Sequence, residues 1–158
     1  MTEYKAPWTR SLSWISWSTT GFICILAAFC LARGPRPMAP VLLAIPAVAA
    51  LFAVRGYAVA QGELRVRRLL WDTRIPLAGL ESAEFVPDAM RRSIRTFGNG
   101  GLFSFTGRYR SKALGGYRAF VTDLGLTVVL RFRNATIVVS PETPEAFVRH
   151  LLPYRSPA

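Results

Sequence analysis

Two long apolar stretches lie back to back near the start of this chain, and they constrain its architecture more than any other feature. The first, Leu12–Ala32, carries no charged residue, and its length matches the roughly 20 residues that a helix needs to cross a bilayer. The second, Pro37–Val54, contains Pro46, which predicts a kinked helix because proline lacks a backbone donor. The intervening Gly34–Pro37 segment predicts a tight turn. We therefore expect residues 1–56 to form a transmembrane hairpin with helices at about 12–32 and 37–54.

The positive charges beside these stretches predict the orientation of the hairpin. Lysines and arginines close to membrane spans concentrate on the cytoplasmic side. The turn between the stretches carries Arg33 and Arg36, whereas the opposite end carries Lys5, Arg10, Arg55, Arg65, Arg67 and Arg68. We therefore expect both termini and the following domain to face the cytoplasm. A re-entrant second segment is the alternative, and it would place that domain outside.

A cleaved signal peptide is a competing interpretation of the first stretch. Its apolar run is longer than an ordinary signal core, and a second apolar run follows at once. Trp8, Trp14 and Trp17 also lie where the chain would enter the bilayer, and indole rings favour that interface. We therefore expect an uncleaved anchor.

Residues 57–158 have the pattern of a small domain that is mainly β. Short apolar runs separated by turn residues predict strands, and the segment 88–116, rich in glycine and arginine, is expected to be irregular. Thr143, Pro144 and Glu145 are typical of a helix start, and Pro153 ends the apolar stripe that follows. This predicts a barrel or sandwich of about six or seven antiparallel strands capped by one C-terminal helix. The predicted strands are Tyr57–Ala60, Leu64–Trp71, Arg74–Leu77, Leu80–Val86, Tyr117–Thr122, Leu126–Phe132 and Ala135–Ser140.

Particular segments of this domain resemble a bacterial PH-domain family, which has a pleckstrin-homology-like fold. They are SIRTFGNGGLF at Ser93–Phe103, GRY at Gly107–Tyr109, LGGYRAFVT at Leu114–Thr122, IVVSP at Ile137–Pro141 and PEAF at Pro144–Phe147. The resemblance covers about residues 57–152. It implies a PH-like barrel, often found beside membrane helices, and it implies no catalytic residues. The expected location is therefore the bacterial inner membrane, in a multi-pass protein.

A run of basic residues is the best candidate for a functional surface. The chain has a formal net charge of +11, which favours anionic partners such as membrane lipid or nucleic acid. Between positions 91 and 118 there is no acidic residue, and Phe97, Phe103, Phe105 and Tyr109 interleave with the cations. The alternative is that these aromatics are core residues and the charges a solvated face. The candidate contacts to anionic lipid or a partner are Arg91, Arg92, Arg95, Arg108, Arg110, Lys112 and Arg118.

Several kinds of chemistry lack the residues that they need. The cysteines, Cys24 and Cys30, lie in the first apolar stretch, and His150 is the single histidine. Triads and zinc sites built from cysteine and histidine are therefore excluded in the domain. Gly98–Gly101 lacks the spacing of a phosphate-binding loop, so we interpret it as a turn, with a backbone anion nest as the alternative. We predict no enzyme activity, no cofactor and no metal.

These observations lead to two hypotheses of different classes. The first is a membrane-anchored PH-like interaction module at the cytoplasmic face that binds a protein partner or anionic lipid headgroups. The second is a structural or accessory subunit of a membrane complex without lipid specificity. A protein partner or a homo-oligomer is expected in either case. Nucleic acid is compatible with the charge, but the membrane tether and the lack of a base-reading motif argue against it.

Overall fold

A computed structural model describes residues 2–155, which form a helical hairpin, two β-sheets and a C-terminal helix. The helices are α1 (Arg10–Arg33), α2 (Met38–Leu51) and α3 (Pro144–Leu151), followed by a 3-10 turn at Leu152–Tyr154. The strands are β1 (Thr2–Lys5), β2 (Gly56–Ala60), β3 (Glu63–Arg67), β4 (Asp72–Pro76), β5 (Leu80–Phe85), β6 (Ile94–Gly100), β7 (Phe105–Ser111), β8 (Gly115–Val121), β9 (Val128–Phe132) and β10 (Ala135–Val139).

The strands build two sheets that share one hydrophobic core. The first sheet has the order β1-β2-β3-β4, and the second has the order β5-β9-β10-β8-β7-β6. Tyr57 and Val66 from the first sheet and Phe120 and Val139 from the second are completely buried together with Phe147 of α3. The predicted β-domain with a C-terminal helix is therefore confirmed at the level of architecture.

Alternating sequence patterns explain which faces are buried. In β3, Leu64 and Val66 are buried, while Arg65 and Arg67 are half-exposed on the other face. The C-terminal helix begins as predicted, with Pro144 in its first turn, but the hydroxyl of Thr143 makes no capping hydrogen bond. The apolar stripe was predicted to continue up to Pro153, but α3 ends at Leu151, and Leu152 is exposed in the 3-10 turn.

The strand prediction was wrong in one segment and incomplete in another. Positions 88–116, expected to be irregular, contain β6 and β7, so nine strands follow the hairpin in the described chain instead of six or seven. Their alternation is interrupted by glycines and by a bulge between Arg95 and Phe97, which hides the pattern. β1 was not predicted, and β8 and β10 pair in parallel rather than antiparallel fashion.

The helical hairpin is inserted between the adjacent strands β1 and β2. These strands pair antiparallel with Lys5 opposite Gly56, so both ends of the hairpin are attached to the same sheet. α1 and α2 pack through the small residues Ala27, Cys30 and Ala39, which let helices approach closely. β1 is fixed in turn by α3, because the Tyr4 and Phe147 rings make an edge contact at 5.1 Å.

The two hairpin helices differ in length. Among the described helices, α1, with 24 residues, is the one that is long and apolar enough to cross a membrane. α2 has 14 residues, so it is about 21 Å long, shorter than the predicted 37–54 segment and than a hydrocarbon core of about 30 Å.

Candidate functional site

The seven predicted basic residues lie on the last three strands of the second sheet, β8, β7 and β6, and on the connections beside them, and all seven are exposed. Within residues 2–155, the ion pairs are Arg65–Glu63 and Arg67–Glu3, so no carboxylate neutralises the predicted cluster there. The cluster is spread over three strands and two connections. Arg91 and Arg92 precede β6, Arg95 is on β6, Arg108 and Arg110 are on β7, Lys112 is in the following turn and Arg118 is on β8.

Strand register divides these residues between the two faces of the sheet. Arg108 lies opposite both Arg118 of β8 and Phe97 of β6, so the three form one row. The bulge in β6 places Arg95 opposite Tyr109 instead, and alternate residues on a strand point to opposite faces. The structure therefore brings together Arg108 and Arg118 but separates them from Arg95.

The row of Arg108 and Arg118 faces a cavity that lies between the second sheet and α2. The cavity has a volume of about 990 Å³, and no acidic residue lines it. One side is apolar, and the other carries positive charge, so the site is amphipathic. Its apolar lining includes Ala44, Ile45, Val48, Phe52 and Phe97, and its cations are Arg68, Arg108 and Arg118.

Arg68 is the residue of this site that sequence reasoning missed. Its side chain is 8% exposed, and its Nη1 donates a hydrogen bond to the Phe52 carbonyl oxygen at 3.2 Å. Its guanidinium also lies 5.4 Å from the centres of the Phe52 and Phe120 rings. Its Nε is buried without a hydrogen-bond partner in the described part of the chain. Burial lowers the pKa of Arg68, and the nearby positive charge of Arg118 is a second, smaller cause of the same shift.

Contacts between α1 and the β6–β7 turn hold the hairpin beside this edge of the sheet. Ser16 is completely buried. Its hydroxyl accepts a hydrogen bond from the Phe103 backbone N–H at 2.9 Å and donates one to the Gly101 carbonyl oxygen at 3.4 Å. The Trp8 and Phe103 rings pack with their centres 6.0 Å apart. The first turns of α1 are therefore packed against the domain.

The predicted aromatics have different environments. Phe97 is 76% exposed, whereas Phe103 and Phe105 are half-buried and Tyr109 is buried. The Tyr109 hydroxyl donates a hydrogen bond to the Asn99 carbonyl oxygen at 2.7 Å, and burial raises the pKa of Tyr109 to about 12. Phe97 is therefore the one member of this predicted set that is open to an external apolar phase, and the others pack within the fold.

The glycine cluster shapes the end of the β6–β7 hairpin. Gly98 and Gly101 have φ values of 109° and 118°, a region that side chains disfavour. The Asn99 side chain accepts a hydrogen bond from the Leu102 backbone N–H at 3.1 Å across the turn. The interpretation of the cluster as a turn is therefore only partly correct, because Gly98, Asn99 and Gly100 are paired with β7 and the turn begins at Gly101.

The remaining chemical candidates are few. The Nδ1 atom of His150 lies 3.1 Å from the Tyr4 hydroxyl oxygen, so its ring is engaged between β1 and α3. Residues 2–155 contain no group of three or more His, Cys, Asp or Glu side chains arranged to hold a metal ion. Cys24 and Cys30 are free thiols.

A mainly-β domain of two sheets with a C-terminal helix is the architecture expected of the pleckstrin-homology class. The sequence model of the bacterial PH domain matches residues 55–153, so the chain belongs to that family and the resemblance is confirmed. Domains of this class are in general interaction modules and not enzymes. No match was found among curated proteins or among solved structures.

Proposed function

We propose that this chain is a membrane-anchored, non-enzymatic module whose basic sheet edge binds the anionic cytoplasmic leaflet. The observation that carries the proposal is the placement of that edge beside the apolar hairpin. Ser16 of α1 is hydrogen-bonded to the β6–β7 turn, and Phe97 and Arg108 line a cavity together with α2. The same hairpin that would enter the bilayer therefore brings the uncompensated cations towards its surface.

The composition of the edge suits a water–lipid interface. Ile94 and Phe97 on β6 are 73% and 76% exposed. Their partners on β7 are Arg110 and Arg108, and each cation near an anionic leaflet contributes about 1 kcal/mol of attraction. Exposed apolar groups that enter the interface add to this binding, since water no longer surrounds them.

The hairpin supports the predicted topology. Both of its ends are attached to the first sheet through the pairing of Lys5 with Gly56, so the two ends lie on the same side of a membrane. Lys5, Arg10 and Arg55 at these ends outnumber Arg33 and Arg36 at the turn. By the positive-inside tendency, the domain and both termini face the cytoplasm of a bacterial inner membrane.

The experiment uses the full chain in nanodiscs made either of phosphatidylcholine or of a mixture with phosphatidylglycerol. Hydrogen exchange of Arg91–Ser111 should slow in the anionic discs, and salt should reverse much of the effect because exposed charges are screened. Neutralisation of Arg91, Arg92 and Arg95 to glutamine should reduce it strongly, because three of the seven cations are removed. A triple variant with the same change in charge elsewhere (Arg131, Arg133 and Arg149 to glutamine) should not.

Equal exchange in neutral and anionic discs would contradict the proposal. The accessory-subunit hypothesis then gains support if the chain also co-purifies in detergent with a stoichiometric protein partner, independent of lipid charge.

A further inference from the structure

The cavity between α2 and the second sheet contains a cation without a counter-ion. Arg68 is 8% exposed, and its buried Nε has no hydrogen-bond partner in residues 2–155. A buried charge is costly unless it is paired. Arg118 increases that cost, since its guanidinium carbon lies 4.9 Å from the centre of the same Phe120 ring that Arg68 contacts. The site therefore favours an anion.

The opposite wall of the cavity favours a hydrocarbon chain. It is formed by α2, whose Ile45 and Val48 are about half exposed, and Phe97 faces this helix across the cavity. Because α2 belongs to the apolar hairpin, this wall is continuous with the part of the molecule that is suited to a bilayer. The volume of about 990 Å³ lies within the roughly 300–1,000 Å³ typical of ligand pockets.

We propose that the cavity binds one anionic phospholipid, with its phosphate between Arg68, Arg108 and Arg118 and one acyl chain along α2. This rests on the proposed function and adds a defined lipid site to its diffuse surface attraction. The phosphate supplies the acceptor that the buried Nε of Arg68 lacks, and guanidinium groups bind phosphate through charge-assisted hydrogen bonds. A free phosphate ion would leave the apolar side chains of Ile45, Val48 and Phe97 without a partner.

The test is native mass spectrometry of the full chain in a neutral maltoside detergent. The probes are dioleoyl phosphatidylglycerol, dioleoyl phosphatidylcholine and inorganic phosphate. We expect one phosphatidylglycerol per chain, at least tenfold weaker retention of phosphatidylcholine, and no displacement of the lipid by inorganic phosphate. Equal retention of the two lipids overturns the proposal, and displacement by phosphate shows a free-anion site instead.

Variants locate the site within the molecule. Arg108→Gln and Arg118→Gln should each weaken phosphatidylglycerol retention about tenfold, and Val48→Trp should do so by filling the apolar side without changing charge. Arg110→Gln, on the same strand but outside the cavity lining, is the matched control and should retain the lipid. The test does not use Arg68 variants, because substitution of this buried residue could prevent folding. Arg108 is exposed, so its substitution is compatible with a folded domain.

The outcome is independent of the test of the proposed function. Loss of retention in Arg110→Gln to the same extent as in Arg108→Gln would reject a defined site while leaving surface binding in nanodiscs intact. Failure of surface binding in nanodiscs, in contrast, concerns Arg91, Arg92 and Arg95, which lie outside the cavity lining.

Discussion

Lys5 lies opposite Gly56 in the β1–β2 ladder, so the chain enters and leaves the helical hairpin at one point of the first sheet. A Cβ atom at Gly56 would lie 2.9 Å from the Tyr4 carbonyl oxygen, which explains why glycine occupies the second of these positions. Because one sheet holds both ends, α1 and α2 start and finish on the same side of any membrane that they enter.

The depth of the hairpin is testable by labelling its turn. In a variant with Cys24 and Cys30 replaced by alanine, we expect Pro35→Cys to react with an impermeant maleimide added outside intact cells. The reason is that both ends of the hairpin are attached to the domain through the pairing of Lys5 with Gly56, so the turn between α1 and α2 is the part of the hairpin farthest along the helices from these attachments. Glu81→Cys, which is exposed on β5, should react only after permeabilisation. Protection of Pro35→Cys from both sides would indicate a re-entrant hairpin.

Ser16 should couple the hairpin to the domain. Ser16→Ala leaves the Phe103 backbone N–H without its acceptor, a loss of about 1–3 kcal/mol for a buried group. We expect faster hydrogen exchange in Gly101–Ser104 and a lower melting temperature in detergent. Ser18→Ala, at an exposed position of the same helix, should change neither the exchange rate nor the melting temperature. If Ser16→Ala also leaves both quantities unchanged, the contact does not stabilise the protein.

Gly107 should not tolerate a side chain. Its φ is 143°, and a Cβ atom there would lie 2.1 Å from the Phe97 carbonyl oxygen. Gly107→Ala must therefore move β6 away from β7. We expect the free energy of unfolding to fall by more than about 1 kcal/mol and hydrogen exchange to become faster across both strands. At Gly116, on the adjacent strand, a Cβ atom would meet nothing within 4 Å. Gly116→Ala should accordingly unfold like the unsubstituted protein, and equal melting temperatures for the two variants would refute the expectation.

Tyr57 should link the two sheets through its hydroxyl group. The hydroxyl donates a hydrogen bond to the Phe120 carbonyl oxygen at 2.6 Å and accepts one from the Ser140 backbone N–H at 3.0 Å. Tyr57→Phe leaves both groups buried without this partner, so we expect a loss of about 1–3 kcal/mol in urea unfolding. Tyr154→Phe, at a half-buried tyrosine in the 3-10 turn, serves as the control. Similar midpoints for both variants would contradict the role of Tyr57.

Alkaline pH should unfold the domain through its buried tyrosines. Burial raises the pKa values of Tyr57 and Tyr109 to about 12, above the ordinary value of 10 that applies in the unfolded chain. Their contribution to stability is therefore complete below pH 10 and is lost as pH rises from 10 through 12. Tyrosinate absorbance and circular dichroism should change together in this interval. If tyrosinate forms at a pH well below the pH at which circular dichroism is lost, these tyrosines titrate in the folded state.

The general architecture could be predicted because it depends on local patterns. β3 alternates clearly, α3 has a proline in its first turn and an apolar stripe, and the hairpin helices are continuous apolar runs. β6 and β7 were not predicted because Gly98 and Gly107 interrupt the alternation of apolar and polar residues. The close approach of the two strands explains these glycines, and it is visible only in the structure. β1 was not predicted because it has only four residues, and such a short segment can be assigned as a strand only when its distant partner β2 is known.

The candidate site shows the same limit. The positive charge of the run from Arg91 to Arg118 was visible in the sequence, but its division between two faces depends on a bulge. Arg68 was missed even though it continues the inward alternation of Leu64 and Val66, and a cation at an inward position was the available signal. The cavity itself could not be predicted, because it is formed by segments far apart in the chain, from Ala44 to Arg118.

The insertion of the hairpin between two adjacent strands also has a consequence for biogenesis. β1 is synthesised before β2, and both helices lie between them, so in the proposed membrane-anchored state the first sheet is completed only after the hairpin has entered the lipid phase. A chain whose hairpin is misplaced presents β1 without its neighbour and exposes the unpaired edge of β2, a feature that promotes aggregation. Under the proposed anchoring, placement of the hairpin in the membrane and pairing of β1 with β2 are therefore linked steps of folding.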